Sequence, residues 1–433
     1  MSTKRGSVAG RASRPASLVL LAAAILAGAA ACSSSSSTNS GGGAAGSASA
    51  TNGSAGAASA VAPADLSAYL PGKKASGTPV KIGLINNEGS SPVAEPSTGD
   101  AAVAAADYAN AELGGIGGHP IQVIRCAENE DVASSTACAN EMVQDNVAAV
   151  DIGTTGLGNT IVPIITKAGI PYVSATGSSS DELTTPGTFM WTGGFPADLG
   201  GMAAYAAQHG YKKVTAFVID APSALAGAQE IGTPAFKAAG VALSIESVPE
   251  AVADATPQVT AGLGDKPGAV AIVADASTCT SVLQALSTVD PGLPVYAVTS
   301  CLNSSTLTAL GSAMSGVKIF GRSDTESNNP EAQLYRYAMA KYYPSANPSG
   351  DSVTGYQGML GLVRATAGLT GDPTPASITT AVKAAKDVPL PAGAGLTFTC
   401  NGKMFPGLPS NCSAGDVVLT IENGKATDPQ VIS

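Results

Sequence analysis

From Pro79 onward, short apolar runs alternate with longer alanine-rich segments. The short runs are rich in Val and Ile and are bounded by Gly, Pro, Asn or Asp, a pattern that predicts buried strands. The predicted strands cover residues 80–85, 121–126, 148–153, 171–175, 214–220, 242–248, 269–275, 295–300 and 317–321. The predicted helices lie near residues 99–113, 131–146, 158–168, 198–209, 223–239, 278–289 and 303–314. Such alternation predicts an α/β fold in which helices flank parallel sheets.

The last part of the chain has a different pattern. Longer helices are predicted at 330–343, 351–369 and 375–386, followed by strands at 396–399 and 417–421. Nine strands would make a large single sheet, so we expect two consecutive α/β units. The Pro- and Gly-rich segment 184–195 is the expected crossing between the units, and the return is expected near 321–327.

The N-terminus has the pattern of a secretory signal. Four basic residues precede an apolar run that ends in three alanines and Cys32, with five serines following at once. We expect a signal peptide over residues 1–31. The cysteine resembles that of a bacterial lipobox, although Ala29 stands where Leu is typical, and this resemblance implies lipidation of Cys32. The alternatives are an ordinary signal peptide with an unrelated cysteine and a membrane anchor, for which the run is shorter than the ~20 residues required.

The segment after Cys32 cannot form a core. Residues 33–60 are almost entirely Ser, Gly, Ala, Thr and Asn, and little apolar follows before residue 78. This composition is typical of a flexible tether, which we assign to residues 32–77. The sequence thus predicts an extracytoplasmic protein held at the cell membrane by a lipid.

Composition and motifs argue against several function classes. The net charge of −10 does not fit a nucleic-acid-binding protein, for which a basic patch is expected. G-x-S-x-G, H-E-x-x-H and P-loop motifs are absent, and the G-x-G-x-x-G spacing at Gly41–Gly46 lies in the tether, outside any strand–helix context. His119 and His209 read as structural residues. We therefore expect no cofactor and no enzyme, with a secreted hydrolase as the remaining catalytic alternative.

Six cysteines remain once Cys32 is set aside, and an exported chain meets an oxidising compartment. They allow 15 connectivities. We expect pairing between sequence neighbours, which gives Cys126–Cys138, Cys279–Cys301 and Cys400–Cys412. A metal site is the alternative, but C-x-x-C does not occur and both histidines lie apart from the cysteines.

Several stretches resemble a known family. They are Asn110-Ala-Glu-Leu-Gly-Gly-Ile-Gly-Gly-His-Pro-Ile121, residues 147–153 with 170–175, residues 180–184 and residues 415–424. In this order they resemble the leucine/isoleucine/valine-binding proteins that serve ABC transporters, over about residues 79–425. The resemblance implies a type I periplasmic-binding fold with two lobes, three crossovers and a small-molecule ligand in the cleft between the lobes. It also implies a membrane permease as partner.

On this basis we expect lobe I to contain residues 78–193 and 322–388, and lobe II residues 194–321 and 389–433. Ligands of open α/β sheets bind beyond the carboxyl ends of the strands, where helix N-termini also favour anionic groups. The resemblance implies that the loops after the third and fourth strands hold the carboxylate and part of the ammonium of an amino acid. The candidate ligand-binding residues are Glu88, Ser90, Thr154, Thr155, Gly156, Ala175, Thr176, Ser178, Asp220, Ser223, Asp275 and Ser300.

Each candidate also has a structural interpretation. The Ser and Thr side chains could cap the following helices, and Asp220 and Asp275 could be helix N-caps. In lobe II the family's usual Tyr and acidic residue are missing after Asp220 and near Ser300, so the ligand is not necessarily an aliphatic amino acid. Trp191 and Phe195 are interpreted as packing residues. A Cys279–Cys301 bridge would stiffen the rim of lobe II.

The leading hypothesis is a lipid-anchored solute-binding receptor that closes on a small polar molecule and presents it to a permease. The alternative is a tethered sensor that reports ligand binding to a signalling partner.

Overall fold

The structure is a computed structural model that describes residues 64–89, 94–345 and 352–432. The signal peptide, Cys32, most of the tether and Ser90 lie outside the described residues. Within these ranges, the helices are all too short or too polar to cross a membrane.

The chain first alternates between strands and helices up to residue 190. Its strands are β1 (Val80–Asn87), β2 (Ile121–Glu128), β3 (Ala149–Ile152), β4 (Tyr172–Ser174) and β5 (Thr188–Met190). Its helices are α1 (Pro96–Glu112), α2 (Val132–Gln144), α3 (Gly158–Lys167) and α4 (Ser180–Thr184). The strands form one parallel sheet in the order β2-β1-β3-β4-β5.

A second α/β unit follows. Its helices are α5 (Gly194–Gln208), α6 (Pro222–Gly227), α7 (Thr233–Ala238), α8 (Thr256–Leu263), α9 (Ala276–Val289) and α10 (Ser304–Leu310). Its strands are β6 (Lys213–Ile219), β7 (Ala242–Val248), β8 (Ala269–Val273), β9 (Val295–Val298) and β10 (Lys318–Gly321). The single helix predicted over 223–239 is divided into α6 and α7 by a π-helical turn, Ala228–Gly232.

The last part of the chain contributes to both units. It contains α11 (Pro330–Tyr342), α12 (Ser352–Ala365), α13 (Pro375–Ala384), β11 (Val388–Pro389), β12 (Thr397–Phe398), β13 (Asp416–Glu422) and β14 (Lys425–Ile432). Helix α12 packs against α1, where Gly355 is required because a Cβ would overlap the carbonyl oxygen of Thr98. Strands β13 and β14 are antiparallel additions to the second sheet, whose order is β14-β13-β10-β9-β8-β6-β7.

The chain passes between the two sheets three times, after β5, after β10 and before β13. These crossovers are joined by hydrogen bonds. Gln357 of α12 donates to the carbonyl oxygens of Arg322 and Pro391, each at 2.9 Å, and the Asp324 amide donates to Ala392 O at 2.7 Å. The two-unit α/β fold with three crossovers is thereby confirmed.

Every predicted strand is present, with both ends within two residues of the prediction. The structure also contains β5, β11, β14, α4 and α8, which the sequence pattern did not indicate. Residues 184–195 were predicted to be a crossing, but they include β5, so the chain leaves the first sheet only after Met190. Strand β5 has three residues directly after Pro186-Gly187, too few for a periodic pattern.

The three predicted disulfides, Cys126–Cys138, Cys279–Cys301 and Cys400–Cys412, are confirmed. In the chain-entropy model each stabilises the fold by ~3 kcal/mol. The prediction that Trp191 is a packing residue is also correct, because it is fully buried, packs against the Phe398 ring at a tilt and donates to Gly358 O at 2.9 Å.

Candidate functional site

A cavity of about 520 Å³ lies between the two sheets. The second sheet contributes the carboxyl ends of β6, β8 and β9, and the first sheet contributes the loop after β4. The first and second crossovers add Phe195, Asp198 and Arg322. The cavity therefore lies where a ligand of an open α/β sheet is expected, with walls from both units.

A second cavity of about 260 Å³ is lined by the loops of the first sheet. It shares Thr176 and Ser178 with the larger cavity, so the two adjoin. We call the two together the interlobe cleft. Six of the predicted residues line it, namely Thr154, Thr155, Gly156, Thr176, Ser178 and Ser300.

Four other predicted residues do not line the cleft. The Glu88 carboxylate accepts from Arg125 Nε at 2.8 Å, and Ala175 is buried, with its carbonyl oxygen accepting from Thr192. Asp275 is the N-cap of α9 and accepts from the Thr278 amide at 2.7 Å, as the helix-cap interpretation expected. Asp220 is exposed.

The pKa of Asp275 is lowered in the folded protein. Burial alone would raise its pKa, but hydrogen bonds from Thr278 and Ser277 outweigh this and hold the pKa below its usual value. Two predicted positions lie outside what the structure describes, Ser90 entirely and Ser223 in its side chain. Whether the six lining residues contact a ligand stays a prediction.

Hydrogen bonds within the chain engage most donors on the first-sheet side of the cleft. The Gly156 amide donates to Glu130 Oε1 at 2.5 Å, and the Ser178 amide donates to Glu182 Oε2 at 3.0 Å. The Thr155 hydroxyl donates to Glu128 Oε1 at 3.1 Å. The protein's own carboxylates thus occupy the donors that the family resemblance assigned to a ligand carboxylate.

Hydroxyl donors on the second-sheet side are likewise engaged within the chain. The Ser300 hydroxyl donates to Ala274 O at 2.6 Å, and the Thr299 hydroxyl donates to Phe320 O at 3.2 Å. A hydroxyl whose hydrogen is engaged can offer only its oxygen lone pairs to another partner. These two side chains therefore present hydrogen-bond acceptors to the cleft.

Three carboxylates lie close together on the first-sheet side. Burial raises the pKa of Glu130, the hydrogen bond from Gly156 opposes this rise, and the charges of Glu128 and Glu182 add to it. Glu128 and Glu182 are themselves buried, and each accepts several hydrogen bonds. Among the described lining residues of this part, none is basic.

Three charged residues, one next to each crossover, form a common cluster. Arg322 Nη1 lies 2.9 Å from Asp198 Oδ2, and both Asp198 and Asp416 are buried. Burial raises the pKa of Asp416 well above its usual value, the neighbouring Asp198 raises it further, and Arg322 opposes the rise. Burial likewise raises the pKa of Asp198. We call Asp198, Arg322 and Asp416 the hinge cluster.

Sequence reasoning did not identify several lining residues. They are Glu95, Glu130, Glu182, Asp198 and Arg322. Arg322 directly follows β10, so the strand-end rule could have found it, whereas Asp198 lies inside α5 and has no such signal. Phe195 was interpreted as a packing residue, but it also lines the cleft.

No group of three or more His, Cys, Asp or Glu side chains is placed to hold a metal ion in the part of the chain that the structure describes. The Cys279–Cys301 disulfide ties α9 to the residue after Ser300. Because Ser300 and Ala274 line the cleft, this bond lies at its second-sheet rim, and its stiffening of that rim stays a prediction.

Two α/β units, joined by three crossovers around a cavity at their strand ends, define the type I periplasmic-binding fold. The sequence model of the periplasmic binding protein family matches residues 79–408, and the chain belongs to that family. It is therefore a solute-binding protein of an extracytoplasmic class. No curated protein sequence matches the chain.

Solved structures of low sequence identity share the fold. An ABC transporter substrate-binding protein from Sphaerobacter thermophilus has 17% identity and a TM-score of 0.67, covering 82% of this chain and 97% of its own. The LivJ branched-chain amino acid binding protein from Streptococcus pneumoniae, in complex with isoleucine, has 20% identity and a TM-score of 0.62, covering 82% and 99%. The leucine-binding protein LivK from Thermotoga maritima has 16% identity and a TM-score of 0.62, covering 82% and 98%.

Proposed function

We propose that this chain is the extracytoplasmic solute-binding receptor of an ABC importer and holds one small polar molecule in the interlobe cleft. The observation that carries the proposal is the cleft itself, whose walls come from the strand ends of both units and from two crossovers. A ligand that touches both walls binds the closed arrangement more tightly than the open one and shifts the population toward it. The closed form would then be the form that a permease recognises.

We propose the lobes as rigid bodies with the boundaries given above, lobe I as 78–193 with 322–388 and lobe II as 194–321 with 389–433. Closure would then be a hinge motion about the three crossovers. Residues 400–412 depart from this boundary and would move with lobe I, because Ser410 and Cys412 are hydrogen-bonded to Met190 at the end of β5.

The proposed ligand contacts are the residues predicted from sequence that line the cleft, together with Phe195. Structural relatives include a protein in complex with isoleucine, so branched-chain amino acids belong in the first set of trial ligands. The full set adds amides, short acids, sugars and amines.

A thermal-shift screen of the full chain tests the proposal. A solute at 100 times its dissociation constant stabilises the folded state by about 2.7 kcal/mol, which raises the Tm measurably. One class of solute should bind with one-to-one stoichiometry and without turnover. No binding by any member of the set would contradict the receptor function, and catalytic turnover would favour the hydrolase alternative.

Lipid attachment at Cys32 is part of the proposal. Supporting it are the apolar run before the cysteine and the tether-like composition after it. Mass spectrometry of the native protein should find an N-terminal lipidated Cys32, and Cys32→Ser should release the protein from membranes. An unlipidated N-terminus at another residue would remove the anchor and leave the receptor function intact.

The alternative is a sensor that passes ligand binding to a signalling partner. Transport assays separate the two. Deleting the receptor should abolish uptake of the identified solute if the importer role is correct, whereas a sensor would change the cellular response and leave uptake unchanged.

A further inference from the structure

Several backbone and side-chain donors that line the interlobe cleft are already engaged within the chain. On its first-sheet side, the amides of Gly156 and Ser178 are bonded to Glu130 and Glu182 at 2.5 and 3.0 Å. A ligand carboxylate would have to displace these charged side chains to reach the same amides. Charge-assisted hydrogen bonds of this kind are among the stronger ones in proteins, so the exchange is unfavourable.

The hydroxyl groups point to the same conclusion independently. The hydrogens of Thr155, Thr299 and Ser300 are engaged by Glu128 Oε1, Phe320 O and Ala274 O. Thr155 Oγ1 already accepts from the Leu157 amide at 3.0 Å, and the hydroxyl oxygens of Thr299 and Ser300 retain lone pairs that can accept from a further partner. The complementary ligand is therefore rich in N–H donors.

The charged side chains that line the cleft also favour a positively charged ligand. Its described lining residues include four carboxylates, those of Glu95, Glu130, Glu182 and Asp198, and one basic side chain, Arg322. Arg322 Nη1 is bonded to both carboxylate oxygens of Asp198 at 3.3 and 2.9 Å, so its charge is largely balanced within the hinge cluster. A cation beside Glu130 would relieve the repulsion that this carboxylate experiences from Glu128 and Glu182.

The larger cavity also has apolar side chains in its lining. They include Phe195, Ile219, Val273 and Val298, at the carboxyl ends of three strands and the start of α5. Such a surface fits a hydrocarbon or aromatic body rather than a second charged group.

We infer that the ligand of the interlobe cleft is an organic cation without a carboxylate, with its ammonium-type donors toward Glu130 and the hydroxyl oxygens and its apolar body against Phe195. This inference rests on the proposed receptor function and names the class of solute that the receptor takes. It separates this chain from a receptor for amino acids, whose carboxylate would compete with Glu130 and Glu182 for the amides of Gly156 and Ser178.

Three matched probes test the inference on the full chain by calorimetric titration. Leucine carries both an ammonium and a carboxylate group, 3-methylbutan-1-amine lacks the carboxylate, and 4-methylpentanoate lacks the ammonium. Phenethylamine and agmatine, which both carry N–H donors, extend the cation set. We expect one or more of the cations to bind, and leucine and 4-methylpentanoate not to bind.

Glu130→Gln should weaken the binding of that cation at least about tenfold, since a hydrogen bond to a charged group is lost. Glu141→Gln is the matched control, because Glu141 is exposed on α2 and lies outside the cleft. It should leave binding unchanged. Urea unfolding curves show whether both variants are folded. If Glu130→Gln is not folded, the titrations of the wild type with the three matched probes test the inference on their own.

Tighter binding of leucine or 4-methylpentanoate than of 3-methylbutan-1-amine would overturn the inference. Failure of every cation to bind would overturn it as well. In either case the proposed receptor function is retained if another solute of the thermal-shift screen binds. It is contradicted only if no solute of that screen binds.

Discussion

Arg322 and Asp198 form an ion pair that joins the second crossover to the first, with Nη1 2.9 Å from Oδ2. Asp416, the first residue of β13 on the third crossover, completes the cluster. One basic and two acidic side chains thus lie together beside the three crossovers. These crossovers are the segments that would bend when the lobes close.

Replacing the basic residue should be costly. Arg322→Gln would leave Asp198 and Asp416 buried beside each other without a cation, and breaking a buried pair costs up to 3–5 kcal/mol. Since the Arg322 side chain is 21% exposed, we expect a loss of about 2 kcal/mol in the free energy of unfolding in urea.

Lys213→Gln serves as the control for that variant. Lys213 pairs with Asp265 at 2.6 Å, but Asp265 is largely exposed, so this change should leave the free energy of unfolding nearly unchanged. Equal losses in the two variants would show that the hinge cluster contributes no more than a surface pair.

Asp416 should make stability depend on pH. Burial and Asp198 raise the pKa of Asp416 in the folded state, so the fold retains a proton that the unfolded chain loses above about pH 4. The folded state then binds more protons, and stability falls as pH rises from there toward the raised pKa. Asp416→Asn should reduce the loss of stability between pH 5 and pH 8 by about 1 kcal/mol or more. An unchanged pH profile would mean that Asp416 is ionised in the fold.

The Cys279–Cys301 disulfide should stabilise the rim of the cleft. The double change Cys279→Ser and Cys301→Ser removes a bond that closes a 22-residue separation, and should lower the free energy of unfolding by ~3 kcal/mol in the chain-entropy model. Cys32→Ser should leave the unfolding curve in place. A double variant as stable as the wild type would contradict the assigned role.

Gly361 should be required where α12 meets Trp191. A Cβ at this position would lie 2.5 Å from Trp191 Nε1, and the ring is fully buried and cannot retreat freely. We expect Gly361→Ala to destabilise the protein by about 2 kcal/mol, the range for overpacking a core. Gly368→Ala is the control, because nothing lies within 4 Å of its Cβ position. A thermal unfolding comparison of the two variants checks this.

The fold was largely predictable because buried parallel strands leave a clear apolar signal. Strand β8, Ala269–Val273, is buried along its whole length and reads as an uninterrupted apolar run. Strand β14, Lys425–Ile432, pairs on one side only and carries Asp428, Pro429 and Gln430, so it lacks that signal. Local patterns therefore identify central strands better than edge strands.

The cleft was less predictable for a related reason. The strand-end rule found Thr155, Thr176 and Ser300, because their positions follow from the strands alone. The strand-end rule could not predict which acceptors these hydroxyl groups bond. Those acceptors are set by contacts between residues distant in sequence, such as Thr155 and Glu128. The acceptor character of the cleft is a property of these tertiary contacts.

The central claim is that a solute binds in the interlobe cleft, and a titration of the full chain with and without Phe195 tests it most directly. Phe195 lines the cleft and packs against Gly227. For the solute that the screen identifies, calorimetry should give one-to-one binding that weakens about tenfold or more in Phe195→Ala, about 1.4 kcal/mol. Val132→Ala, at a residue 62% exposed on α2, should bind like the wild type. Equal affinity in the wild type and Phe195→Ala would contradict the account.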